Sequence, residues 1–339
     1  MTRSQNSISA KNIFKRMVPA FLFGFLILVA LSFLGDISKI ASSIQNFNWK
    51  VFPLVICFTL FNYSLRFIKW HFYITQMGIK DFPIIQSARL FVAGFPLAMT
   101  PGKIGEILKG VWLKQLTGIS IPKGISIIVA ERISDGLAVL FLSTLGVLAY
   151  PQYWPVFILV LVVLLSIIVI SQIRPLAYWF FELSEKIPII KKFTGTMRDL
   201  YEGSVTVFRP ETTLFAVFLG MISWFGEGVG FYLILINLGL PVGKETLANA
   251  VFILSFSTII GAVSALPGGL GAAEVSIAGM LTLLVGMESS LASVATLLIR
   301  FATLWFGVAL GLLTWLFSLE FFGFKGKKNE FIEGRDPLS

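Results

Sequence analysis

Two glutamates and two arginines stand at matched spacing. Glu106 precedes Arg132 by 26 residues, and Glu274 precedes Arg300 by 26. Each arginine lies inside a long apolar run. Each glutamate follows a Pro-Gly-x-(Ile/Leu)-Gly stretch, Pro101-Gly102-Lys103-Ile104-Gly105 in one case and Pro267-Gly268-Gly269-Leu270-Gly271 in the other. A guanidinium suits phosphate oxygens because its planar fork presents paired donors. A carboxylate in apolar surroundings can hold that guanidinium or exchange a proton. These residue types therefore support either anion binding within a membrane or ion pairs that lock helices together. The two are compatible: the carboxylates can hold the arginines when no ligand is present and release them to one.

Other charges lie close by in sequence. Glu131 and Asp135 flank Arg132, and Asp135 at i+3 is expected to pair with it, while Glu131, a quarter-turn away, points either to another partner or toward the helix end. Lys109 follows Glu106 by one helical turn, and Glu227 sits near the middle of another apolar run. Arg66 and Lys69 share a helix face. They divide evenly between snorkelling to an interface and touching a lipid phosphate, whereas Trp70 and Tyr73 are expected as interfacial anchors. The candidate substrate-binding set is thus Arg132, Arg300, Glu106, Glu274, Lys109, Asp135, Glu131, Glu227, Arg66 and Lys69. The candidate hinge set is Pro101, Gly102, Gly105, Pro267, Gly268, Gly269 and Gly271. A simpler reading of Glu106 and Glu274 is that acids favour helix N-termini through the macrodipole.

The elements that must position these residues are membrane helices. Of the 339 residues 56% are hydrophobic and only 13% charged, and several runs exceed the length of a spanning helix. The net charge of +9 resides in loops rather than in a nucleic-acid patch, so no nucleic-acid partner is expected. Cys57 and His71 are the single cysteine and the single histidine, which argues against a disulfide, a thiolate metal site or a His-based triad. No ATP-binding motif or nucleophile–base arrangement is evident, so neither a cofactor nor enzymatic activity is expected.

Taken in order, residues 1–16 form a basic cytoplasmic segment, and the region 17–320 is transmembrane. It opens with a spanning helix over Met17–Leu34. Repeat 1 covers about 51–150: a helix over 51–77, a broken segment over 82–117 and a helix over 122–150 carrying Arg132. A helix over 156–171 and an amphipathic linker at about 173–210 lead to repeat 2, about 212–316. That repeat holds a helix over 212–238, a second broken segment over 246–286 and a helix over 291–316 carrying Arg300. The tail 321–339 is basic. The positive-inside rule puts both termini in the cytoplasm of a cell membrane. It also gives the two repeats opposite orientations, with two re-entrant hairpins whose tips meet near the midplane. The expected fold is therefore all-α and polytopic, an inverted repeat with two broken helical hairpins. Irregular backbone at that depth is tolerated where protein or a wet cavity covers it.

The stretches Thr100–Lys109, Glu131-Arg132-Ile133-Ser134-Asp135 and Leu266–Glu274 resemble the lysylphosphatidylglycerol synthetase-like transmembrane family. Its best-known member region is the flippase domain of the multiple peptide resistance factor. The resemblance covers about residues 15–320 and implies a flippase-like protein for a phospholipid or polyprenyl-linked lipid, with Glu106, Arg132, Glu274 and Arg300 lining a central site. The cytosolic aminoacyl-transferase domain of the two-domain members has no counterpart in this sequence, so lipid synthesis is not implied. The expected ligand is a membrane lipid, anionic or phosphate-bearing. The alternative is a non-transporting accessory or lipid-binding subunit working with a partner membrane enzyme, and a homo-oligomer is also open.

Overall fold

The structure, a computed structural model, describes residues 36–147, 154–175, 177, 179, 181–182 and 194–318. The expected first helix over Met17–Leu34, both termini and part of the 173–210 linker lie outside the described residues. Among the described residues every regular element is helical. The chain is a helical membrane protein.

A short helix α1 (Ile37–Asn46) is capped by Asp36, whose carboxylate accepts from the Ser38 N–H at 2.9 Å. The long helix α2 (Phe52–Gln76) starts with a proline in its first turn, where the missing N–H costs nothing. The first broken segment follows as α3 (Ile84–Ala93), two 3-10 turns (Pro96–Met99 and Pro101–Glu106) and α4 (Ile107–Thr117). Helix α5 (Ile121–Val147) carries Glu131, Arg132 and Asp135. Next come α6 (Trp154–Gln172), α7 (Thr194–Val207) and α8 (Pro210–Asn237). The second broken segment is α9 (Lys244–Val263), a 3-10 turn at Pro267–Gly269 and α10 (Ala272–Val285). Helix α11 (Ser289–Arg300) runs through a π-helical turn (Phe301–Trp305) into α12 (Phe306–Phe317).

Among the described residues five stretches are long and apolar enough to cross a membrane: Phe52–Gln76, Pro210–Asn237, Lys244–Val263, Pro267–Val285 and Ser289–Phe317. The two broken segments therefore differ. In the second, both arms reach spanning length. In the first, α3 and α4 have 10 and 11 residues, about 15 Å each at 1.5 Å per residue, roughly half the hydrocarbon thickness. Helix α5 has the length to span at 27 residues, but its charges interrupt the apolar run.

Glycines set how closely the helices approach. A Cβ on Gly124 of α5 would lie 3.0 Å from the Cα of Gly110 on α4, so the two backbones touch there. Gly311 of α12 likewise leaves no room beyond the ring of Pro96. Helix α7, at the end of the linker, packs on α5: Ser126 Oγ of α5 donates to the Leu200 carbonyl at 2.9 Å, and Gly203 packs against the same serine. Two apolar clusters surround the middle of α2. One gathers Val55, Phe231, Phe252 and Ile299, the other Trp70, Leu90, Trp112 and Ile133. Arg66 and Lys69 leave α2 where one cluster gives way to the other.

Candidate functional site

The Pro-Gly motifs build the same turn twice. Lys103 N–H donates to Thr100 O at 2.9 Å, and Gly269 N–H donates to Leu266 O at 2.9 Å. The proline and the glycine between each pair take the positions of a type II turn, which needs positive φ on the glycine. Gly102 has φ 58° and Gly268 has φ 62°. The residue after each glycine is left-handed as well, Lys103 at 57° and Gly269 at 67°. Gly269 has no alternative, because a Cβ there would lie 3.0 Å from the Cα of Gly261. Lys103 holds the equivalent backbone with a side chain attached, at a cost of about 1–2 kcal/mol. The turns also touch each other: Gly102 N–H donates to Ala265 O at 2.8 Å. The two broken segments therefore meet at their turns.

Around the first turn seven charged side chains form one network. Glu131 is its hub. It accepts from Arg132 Nη2 at 2.5 Å and Lys109 Nζ at 2.9 Å, with Arg66 Nη2 at 3.4 Å. Asp135 pairs with Lys69 and lies 3.3 Å from Arg66 Nη2. The Arg132 Nη2–Asp135 separation is 4.0 Å, so the expected i+3 pair is the weakest link, because Lys69 and Arg66 reach Asp135 first. Arg132 Nε faces Glu106 at 3.4 Å. Trp224 Nε1 donates to Asp135 at 3.4 Å, and Lys109 sits 3.9 Å over the Trp70 ring. Pairing of this kind offsets the cost of placing an arginine at membrane depth, at least ~2.5 kcal/mol.

Two expectations about α2 are overturned. Trp70 and Tyr73 are 0% and 1% exposed, so they are core residues and not interfacial anchors. Trp70 is buried because it floors the Lys109 ammonium. Lys69 is fully buried too, and neither snorkels nor stands open to a lipid: Asp135 holds it from α5.

The second half is simpler. Arg300 Nε donates to Glu274 Oε1 at 2.5 Å, and Arg300 Nη2 donates to the Gly268 carbonyl at 3.1 Å. Glu274 Oε2 accepts from Gly271 N–H at 2.7 Å, the N-terminal capping role that the macrodipole argument anticipates. One arginine thus ties the helix start, the turn and α11 together. Both glutamate–arginine pairs spaced at 26 residues meet.

Directly after Arg300 the helix widens into its π turn, with no counterpart after Arg132. Inside this turn Tyr63 Oη of α2 donates to the Thr303 carbonyl at 2.6 Å. Glu227 lies on α8, buried, and forms no hydrogen bond or ion pair among the described residues; Arg66, Arg300 and Asp135 are its charged neighbours. Among the described residues no group of three or more His, Cys, Asp or Glu side chains is arranged to hold a metal. Sequence reasoning missed Tyr63, Trp224 and the strained Lys103. Only the last had a visible signal, a lysine at the position where the second motif has glycine.

The family model described as the lysylphosphatidylglycerol synthase TM region matches residues 21–311. The chain belongs to this family. Within the family's reach are UPF0104 membrane proteins. One from Methanothermobacter thermautotrophicus is 25% identical over 312 residues, covering 86% of this chain and 90% of that protein. One from Pyrococcus horikoshii is 25% identical over 286 residues, covering 76% and 83%. A third, from Methanocaldococcus jannaschii, is 26% identical over 187 residues, covering 55% and 78%. No solved structure matches this family member. The family match spans both Pro-Gly turns and both arginines, so the site sits inside the part that defines the family.

Proposed function

We propose that this family member moves an anionic or phosphate-bearing lipid between leaflets, using the paired charges at the two Pro-Gly turns as the headgroup path. The observation that carries the reading is the placement of Arg132 and Arg300. Each is held by a glutamate that follows a Pro-Gly turn, and the two turns are hydrogen-bonded to each other. A phosphate entering the site would take over guanidinium contacts from the carboxylates, so ligand binding and turn geometry are coupled. In this reading the two repeats are inverted in the membrane, the broken segments rock alternately, and the acyl chains stay in lipid.

The test is a leaflet-sidedness assay in proteoliposomes with acyl-labelled phosphatidate, phosphatidylglycerol, phosphatidylcholine and polyprenyl phosphate. Protein-dependent movement of an anionic lipid, abolished in Arg132→Ala/Arg300→Ala, is the expected result. Folded wild-type protein that moves none of them would overturn transport. If it still bound an anionic lipid, the accessory, lipid-binding reading would take its place.

A further inference from the structure

The charged network is balanced inside and unbalanced at its edge. Its seven members comprise four cations, Arg66, Lys69, Lys109 and Arg132, and three carboxylates, Glu106, Glu131 and Asp135. Six of these side chains are at most 11% exposed, while Arg132 is 30% exposed. Lys103 stands beside it, half-buried, with Arg132, Glu106, Arg66 and Asp135 as its charged neighbours. Its ammonium makes no ion pair or hydrogen bond among the described residues. The accessible edge of the network is therefore two cations, one of them unpaired.

Backbone conformation points the same way. Lys103 occupies a left-handed position that the second motif fills with Gly269. A glycine would hold this turn with less strain, so the turn gains nothing from the lysine, and a strained side chain beside a charged cluster calls for a functional reason. The second turn has no such cation: Arg300 is committed to Glu274 and to the Gly268 carbonyl. The two halves are thus alike in backbone and unlike in what they offer an anion.

The surroundings favour an amphiphile over a free ion. Ile104, next to Lys103, is 67% exposed, and Ile107 one turn on is 42% exposed. A cationic edge flanked by bare isoleucines matches a phosphate joined to an acyl or prenyl chain.

We infer that Lys103, together with Arg132, is the docking site for the phosphate of an anionic lipid, and that this site belongs to the first Pro-Gly turn alone. The inference rests on the lipid-transport reading for its setting but not for its test. Binding is measured on purified full-length protein in detergent with dihexanoyl phosphatidate, dihexanoyl phosphatidylcholine and inorganic phosphate. The variants are Lys103→Gly and Lys103→Arg, each also scored for thermal unfolding and for lipid movement in proteoliposomes.

Phosphatidate should bind wild type and Lys103→Arg, and bind Lys103→Gly about tenfold or more weakly, the loss of one charge-assisted contact. Lys103→Gly should melt at the same temperature as wild type or higher, because strain is relieved. Equal phosphatidate binding by wild type and Lys103→Gly would overturn the inference, as would a wild type that binds no phosphate probe. Equal binding of inorganic phosphate would overturn the lipid source and leave a free-phosphate site. Lys103-dependent binding without lipid movement would sink the transport reading and keep the docking site. Lipid movement together with phosphatidate binding that is equal in wild type and Lys103→Gly would do the reverse.

Discussion

The backbone N–H of Gly102 donates to the carbonyl of Ala265 at 2.8 Å, across 163 residues of sequence. This bond joins the two broken segments at their tips. It gives partners to backbone groups that the two Pro-Gly turns release from the helical ladder. The same contact is braced by packing: a Cβ on Gly268 would lie 2.8 Å from Met99 Sδ, and Met99 is fully buried. Gly268→Ala therefore meets two obstacles, a left-handed backbone and an occupied space. It is expected to lower stability by about 2 kcal/mol or more. Combining it with Met99→Ala should remove the steric part, so thermal unfolding of the double mutant should show a loss smaller than the sum of the singles. Strict additivity would mean that the turns do not press on each other.

A second prediction concerns the hub of the network. Glu131 is 1% exposed and serves Arg132, Lys109 and Arg66 at once. Glu131→Ala removes the carboxylate that Lys109 pairs with and leaves Arg66 and Arg132 to share Asp135 with Lys69, with Glu106 beside Arg132. Removing one partner of a buried ion pair costs about 3–5 kcal/mol. Lys109→Met should cost less, since Glu131 keeps two cations and the methionine can still cover the Trp70 ring. The order of the two melting temperatures in detergent is the check. If Lys109→Met melted below Glu131→Ala, the hub would be misassigned.

Glycines give a third prediction with opposite signs. Gly124 meets the backbone of Gly110 across the α4–α5 contact, so Gly124→Leu must push the two helices apart. That kind of overpacking costs typically 1–3 kcal/mol. Gly279, inside α10, has nothing within 4 Å of the position a Cβ would take. Gly279→Ala should be neutral or stabilise by about 0.5–1 kcal/mol, because alanine restricts the unfolded chain and favours helix. Thermal unfolding of the two variants side by side decides it. Similar losses in both would show that helix contact is not what separates them.

Much of this was readable from sequence, for identifiable reasons. The long helices α2, α6, α8 and α9 follow apolar runs whose length alone demands a spanning or core helix, whereas α7 lies in the polar linker. The turns were legible because proline and glycine act through the backbone. The paired glutamates and arginines were legible because an intramembrane charge has to find a partner. What sequence concealed was depth. Lys69, Trp70 and Tyr73 look like an interfacial cluster, since basic and aromatic residues at the end of an apolar run usually are one. They are buried because α4, α5 and α8 bring Lys109, Asp135 and Trp224 around them, and such long-range partners leave no periodic trace. The π turn after Arg300 was hidden for the same reason: the side chain that bonds inside it is Tyr63, 240 residues away.

The last prediction separates charge from geometry at Arg300. Its guanidinium spans two acceptors, Glu274 Oε1 at 2.5 Å and the Gly268 carbonyl at 3.1 Å, so it holds the helix start and the turn in one grip. Arg300→Ala would leave Glu274, which is 0% exposed, with only the Gly271 N–H. A loss of about 3–5 kcal/mol is expected. Arg300→Lys keeps a charge for Glu274 but loses the planar fork that reaches the turn. It should recover most of the stability, while lipid movement in proteoliposomes stays at least about tenfold below wild type, because the second Pro-Gly turn is no longer tied to the arginine. A lysine variant with full transport would reduce Arg300 to a counter-charge for Glu274. An alanine variant as stable as wild type would remove even that.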